Sequence, residues 1–327
     1  MKTMNLIKVG LVGCGLLGGV ATNTARAEEA PATVSAVGTA VAPPAAPKPP
    51  YSVPWQLRPA AALTVLRSDT SVAFYDAPDA VTKEDRSGST IASTFLASYK
   101  VTPDFSPLLR LAVVQNSTPD VSPMAAPNAT SFVNPIVGAT YARNIGVYKL
   151  AGFLGATVPI GSGGGDAPDK GEAEASARGI QARSAMDNAM FAVNYFTMIA
   201  GADAAYVANK LTVQFEFTVL ELLRARGPDT QDKRRTNFTS GVHAGYFVLP
   251  MLSLGAEVRY QRWLTDAAPV KANSKARESV TVAFGPRFHF KVGSHWIRPG
   301  ISYSRYLDEP FSKSHYQMLQ VDVPFIF

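Results

Sequence analysis

From about residue 58 onward the chain alternates between apolar and polar positions. In Leu252–Leu264, the residues Leu252, Leu254, Ala256, Val258 and Tyr260 share one parity, and Ser253, Gly255, Glu257, Arg259 and Gln261 share the other. Ser279–Val292 sets Val280, Val282, Phe284, Phe288 and Phe290 against Thr281, Arg287, His289 and Lys291. Thr236–Val248 sets Phe238, Val242, Ala244, Tyr246 and Val248 against Asn237, Thr239 and His243; Trp296–Leu307 sets Ile297, Ile301 and Tyr303 against Arg298, Ser302 and Ser304. A period of two marks a strand with one apolar and one polar face. Twelve strands are predicted: Arg58–Tyr75, Thr90–Val101, Pro107–Gln115, Ser131–Arg143, Val147–Pro159, Phe191–Val207, Leu211–Arg224, Thr236–Val248, Leu252–Leu264, Ser279–Val292, Trp296–Leu307 and Tyr316–Phe327.

Alternation alone does not separate a soluble sandwich, apolar inside, from a membrane barrel, apolar outside. The connectors do. Pro103–Ser106, Asn144–Gly146, Ala208–Lys210, Pro250–Met251 and Gly293–His295 are short. Between them lie the longer, polar stretches Asp76–Ser89, Ser117–Thr130, Ile160–Met190, Ala225–Arg235, Thr265–Glu278 and Asp308–His315. Strict alternation of short and long, with an even strand number, predicts an all-β fold: a transmembrane antiparallel up-and-down β-barrel of about 12 strands, with short periplasmic turns and long external loops. Intermediate hydrophobicity (46% hydrophobic residues) fits, because each strand is only half apolar. The longest loop, Ile160–Met190, opens on Gly161-Ser162-Gly163-Gly164-Gly165 and continues into a predicted helix over Glu172–Met186, placed either outside or folded into the lumen.

The last strand, Leu319-Gln320-Val321-Asp322-Val323-Pro324-Phe325-Ile326-Phe327, has apolar odd positions and ends on an aromatic. It resembles the closing strand of Gram-negative outer-membrane β-barrels. The resemblance implies that Val321, Val323, Phe325 and Phe327 form the signal read by the barrel-assembly machinery, and that the protein resides in the bacterial outer membrane among lipid and lipopolysaccharide. Around Ala156-Thr157-Val158-Pro159-Ile160-Gly161 the chain is also similar to transport barrels linked by name to aromatic-compound degradation, a likeness that carries no functional residues across.

The front end agrees. Lys2 and Lys8, the apolar stretch Val9–Ala21 and the Ala25-Arg26-Ala27 site read as a secretory signal peptide over residues 1–27. The rival reading, a lipoprotein at Cys14, has a poorer apolar region. Residues 28–54 are a Pro/Ala-rich periplasmic tail, and 55–327 the barrel. Cys14 is the only cysteine, so cleavage after Ala27 leaves none, and with it no disulfide or thiolate site. Losing Lys2, Lys8 and Arg26 lowers the formal net charge from +6 to +3, with no basic run to suggest nucleic acid.

In a barrel the polar parity lines the lumen. That set contains Lys100, Arg110, Lys149, Glu216, His243, Glu257, Arg259, Arg287, His289, Lys291, Arg298 and Asp322. Two readings stand side by side: a lumen laced by ion pairs between neighbouring strands, and a basic constriction favouring anions. The expected function is an outer-membrane channel or transporter for small solutes, with a mild preference for anions; the alternative is a non-conducting structural or surface-interaction barrel, and a barrel-embedded hydrolase comes third. No catalytic constellation, metal spacing or cofactor motif is present, so neither an enzyme nor a cofactor is expected.

Overall fold

The computed structural model describes residues 50–79, 81–119, 121 and 126–327. The signal peptide, Cys14 and the tail up to residue 49 lie outside the described residues. The strands are β1 (Val65–Pro78), β2 (Asp85–Ser98), β3 (Phe105–Ser117), β4 (Ala129–Phe132), β5 (Ile136–Ile145), β6 (Tyr148–Thr157), β7 (Tyr195–Ala208), β8 (Leu211–Arg224), β9 (Arg234–Leu249), β10 (Leu252–Trp263), β11 (Glu278–Phe288), β12 (Phe290–Val292), β13 (His295–Ile297), β14 (Gly300–Tyr306) and β15 (Gln317–Ile326). Three crossings are interrupted: β4 continues into β5, β11 into β12 and β13 into β14, which leaves twelve passes around the wall. Pro135 and Pro299 sit in two of the gaps, where a residue without an N–H cannot hold the ladder.

Neighbouring strands pair antiparallel, and β15 pairs β1 over Val65↔Ile326 to Phe74↔Gln317. That last pairing closes the sheet and leaves it without an edge. The faces are inverted relative to a soluble protein. Leu154 is 70% exposed and Phe284 60%, whereas Glu257 is 1% exposed and Arg259 and Asp322 are 0%. An apolar outer surface wrapped around buried charge is stable only where hydrocarbon replaces water outside.

The strand from Leu211 to Arg224 is placed as expected, and the sheet order follows the chain. The first strand is shorter at its start. Arg58–Thr64 does not pair in the sheet but belongs to a segment, residues 51–64, that enters the lumen from the short-turn end. Ser52, Val53, Trp55, Leu57 and Ala60 are buried there, so the last residues assigned to a periplasmic tail are interior. Pro54 and Pro59 explain the difference, since they interrupt the N–H row a strand needs. The sixth strand begins at Tyr195, because Phe191 ends a short helix, α2 (Asn188–Phe191).

The longest loop folds inward. Its helix α1 (Lys170–Ala182) is capped by the Asp169 side chain, which accepts from the Glu172 N–H. Gly171, Ala175, Gly179 and Ala182 line the buried face at helical spacing, a stripe small enough for the helix to lie against the wall of β1–β4. A Cβ on Gly179 would stand 2.5 Å from the Phe191 ring and 2.9 Å from Val114. On the other side Tyr75 stacks on Tyr316 at 4.9 Å, Arg178 lies 4.6 Å from the Tyr75 ring and donates to Tyr316 Oη at 3.1 Å, and Tyr306 Oη donates to the Gln181 carbonyl at 3.0 Å. Tyr99, Tyr141 and Tyr246 face outward as an interface belt requires, but Phe247, Trp263 and Tyr306 point inward and are buried. Two adjacent aromatics such as Tyr246 and Phe247 cannot share a face of one strand.

Candidate functional site: the occluded lumen

The lumen holds two insertions, the segment 51–64 from one end and the α1 loop from the other. Polar side chains on the inward parity hold both.

The inner segment is held through both its main chain and its side chains. The N–H of Ser52 donates to Thr212 Oγ1 (3.0 Å), that of Trp55 to Glu257 Oε1 (2.5 Å) and that of Arg58 to Glu216 Oε2 (2.5 Å). Its carbonyls accept in turn: Pro54 from Arg67 (3.1 Å) and Arg287 (3.4 Å), Trp55 from Gln320 (3.3 Å) and Arg67. Arg58 lies between Asp203 (3.4 Å) and Glu216 (3.2 Å), which are direct cross-strand partners on β7 and β8. Burying two carboxylates side by side demands such a cation.

The outer loop is anchored by Arg183 and Arg110. Arg183, 0% exposed, donates to Asp69 (2.7 Å), Asp187 (2.9 Å) and Ser71 (3.1 Å), and Arg110 makes a two-pronged contact with Asp187 (2.5 and 2.8 Å). Burial pushes the Asp187 carboxyl up, but Arg110 and Arg183 outweigh it and hold the group at about 2. Next to Arg183, Ser184 accepts from Arg259 at 3.0 Å. Arg259 also binds Glu257 with two N–H groups (2.8 and 2.6 Å), the same carboxylate that holds the Trp55 amide. One ion pair on β10 therefore touches both insertions.

Among the sequence-predicted residues, the structure brings Arg110, Glu216, His243, Glu257, Arg259, Arg287, His289 and Asp322 onto the inner face, with half-buried Lys149 and Arg298 toward the short-turn end. Lys149 lies 5.5 Å from the Tyr51 ring, and Arg298 donates to the Tyr51 carbonyl (3.4 Å) and lies 5.3 Å from the Trp296 ring. Lys100 and Lys291 are corrections. Lys100 is exposed in the turn after β2, and Lys291 is exposed on β12, which pairs only with β13, so neither reaches the lumen. At the closing strand, Val321, Val323 and Phe327 face outward and Phe325 is half-buried. Sequence reasoning missed Trp55, Arg58, Arg67, Asp69, Arg183 and Asp203. Inward parity in the first and sixth strands was the available signal for Arg67, Asp69 and Asp203; nothing local marked the others.

The basic residues are mostly matched. Asp322 binds Arg67 (2.6 Å) and Arg287, and Glu257, Asp69, Asp187, Asp203 and Glu216 take the remaining guanidinium groups described above, Arg298 excepted. His243 Nε2 is 3.2 Å from Ser52 Oγ and its Nδ1 is 3.4 Å from Glu257. This serine–histidine–glutamate sequence of contacts is enclosed, with Ser52 and His243 each 1% exposed, and Glu257 is committed to Arg259. Among the described residues no cluster of His, Cys, Asp and Glu is arranged to hold a metal ion. A cavity of about 70 Å³ lies between the two insertions, and cavities of about 60 and 40 Å³ lie between residues 53–63 and the wall, room for a few waters each. The largest of these is lined by Gln56, Arg58, Arg110, Phe153, Asp187 and Glu216, among others.

No protein-family model and no curated protein matches the chain. Among solved structures it is similar to the crystal structure of the COG4313 outer membrane channel from Pseudomonas putida F1, with 12% identity over 85% of this chain and 100% of that one, at a TM-score of 0.51. This is the fold of an outer-membrane β-barrel. Weaker likenesses, below a TM-score of 0.5 and without bearing on the argument, are to the NanC porin (8% identity, 79% of this chain and 98% of that one, 0.45) and the KdgM porin (11%, 80% and 99%, 0.41). The barrel's apolar outer surface and closed sheet match residence in the bacterial outer membrane.

Proposed function

We propose that the protein is an outer-membrane channel or transporter for small solutes, closed in the described conformation by its own lumenal segment and long loop. The observation that carries this reading is the polar seam around residues 51–64. The segment is tied to the wall by hydrogen bonds and ion pairs, contacts that water or a polar solute replaces at little cost, beside one small apolar cluster of Ala60 and Ala62 with Ala142, Ala151, Ala205 and Val207. The channel from Pseudomonas putida F1 with the similar fold supports it. A mild anion preference is expected from Arg298, which contacts a carbonyl and a ring rather than a carboxylate.

Planar-bilayer recordings test the proposal. The intact protein should give rare, small openings, and Arg58→Gln, which uncouples the segment from Asp203 and Glu216, should raise open probability at least tenfold. Anion preference should disappear in the Arg58→Gln, Arg298→Gln double variant. The second reading, a non-conducting structural barrel, is favoured by closure from both ends, and silence from both the intact protein and the Arg58→Gln variant would establish it. In this proposal Val321, Val323, Phe325 and Phe327 form the segment read by the assembly machinery, with lipid and lipopolysaccharide around the apolar belt.

A further inference from the structure

The wall meets the main chain of residues 51–58 residue by residue, in addition to the side-chain contacts of Tyr51, Ser52 and Arg58. Thr212, Glu257 and Glu216 accept from the N–H groups of Ser52, Trp55, Gln56 and Arg58, with Gln56 contributing at 3.4 Å to the second Glu257 oxygen. Arg298, Arg67, Arg287, Gln320 and Gln214 donate to the carbonyls of Tyr51, Pro54, Trp55 and Arg58. Acceptors lie on β8 and β10; the donors to Pro54 and Trp55 come from β1, β11 and β15. The bound chain runs between a flank that takes protons and a flank that gives them. Donors and acceptors aimed at main-chain groups bind a peptide with little regard to its side chains.

We infer that the lumen contains a main-chain-binding site, now filled by residues 51–58, and that the solute class it takes is a short, extended peptide. The inference rests on the reading of the lumen as a solute path, and it names the solute. Residues 51–58 act as the intramolecular competitor. An incoming peptide must offer amides at the positions of Trp55 and Arg58, because the buried Glu257 Oε1 and Glu216 Oε2 lose a donor if those N–H groups are missing. A saccharide or fatty acid lacks the alternating N–H and C=O row.

The probe is the octapeptide with the sequence of residues 51–58, acetylated and amidated. Its binding to the full-length refolded protein in detergent is measured by calorimetry. A Trp55→Pro, Arg58→Pro variant, which lacks the two amides that Glu257 and Glu216 accept from, vacates the site, and Trp55→Pro alone serves if the first does not fold by heat-modifiable mobility. Binding at least tenfold tighter than to the intact protein is expected. A peptide N-methylated at its fifth and eighth amides should bind at least tenfold more weakly than the unmethylated one. Equal binding of the methylated peptide, or no gain over the intact protein, overturns the inference. Conductance of the same variants separates the two ideas. A variant that conducts but ignores the peptide removes the site and leaves the channel. One that binds the peptide but never conducts removes the solute path.

Discussion

Glu257→Gln is the substitution whose cost depends most directly on whether the lumen is dry. Glu257 and Arg259 have side chains 0% exposed and share two N–H···O contacts of 2.8 and 2.6 Å. Glutamine keeps the volume and can still accept from the Trp55 N–H, so the change removes charge and little else. Losing one partner of a buried pair leaves the other charge uncompensated, at about 3–5 kcal/mol. In a water-filled lumen the same pair would be worth about 0–1 kcal/mol. The assay is equilibrium urea unfolding of the barrel refolded into lipid vesicles, followed by tryptophan fluorescence. The double variant Glu257→Gln, Arg259→Met should recover most of the loss, because it removes both charges together. A single-variant cost below about 1 kcal/mol, or a double variant as unstable as the single, refutes the picture of a lumen sealed around this pair.

Gly179→Val should drive the outer loop from the wall, since its Cβ would stand 2.9 Å from Val114 on β3 as well as 2.5 Å from the Phe191 ring of α2. The expected loss is about 1–3 kcal/mol, with protease cleavage between residues 158 and 194 where the intact protein resists. The loop should also release in acid. The Asp187 pKa falls from 3.8 to about 2 on folding, so its contribution is complete above pH 4 and is lost as pH falls through 2. Limited proteolysis across pH 5 to 1.5 should therefore show the intact protein opening between 4 and 2. Asp187→Asn should be susceptible throughout that range.

The barrel was legible because a strand's facing pattern is local. Leu252–Trp263 and Leu319–Phe327 carry their orientation in consecutive residues, and the short and long connectors carry the direction of each crossing. The helix of the long loop was legible for the same reason. The lumenal segment was not. Val53, Trp55 and Leu57 alternate with polar Gln56 and Arg58, so the local signal is that of a strand start. What diverts it is a set of partners more than 150 residues away, such as Glu216 and Glu257, that satisfy its amides one by one. The same distance hid the pairing of Arg183 with Asp69, 114 residues apart, and with it a share of the ion pairing expected of the lumen. Lys100 and Lys291 failed for a geometric reason: parity continues in sequence past the end of the wall.

The central claim is that residues 51–64 lie inside the barrel in the membrane. Ser52 Oγ and Ser253 Oγ are 3.4 Å apart, close enough for a disulfide between cysteines at the two positions. Oxidising outer membranes that carry Ser52→Cys, Ser253→Cys should cross-link the pair nearly completely, shift the mobility of the protein and abolish the openings seen with Arg58→Gln. If both cysteines stay reduced and a bulky thiol reagent labels position 52 in intact membranes, the segment is outside the lumen and the account fails.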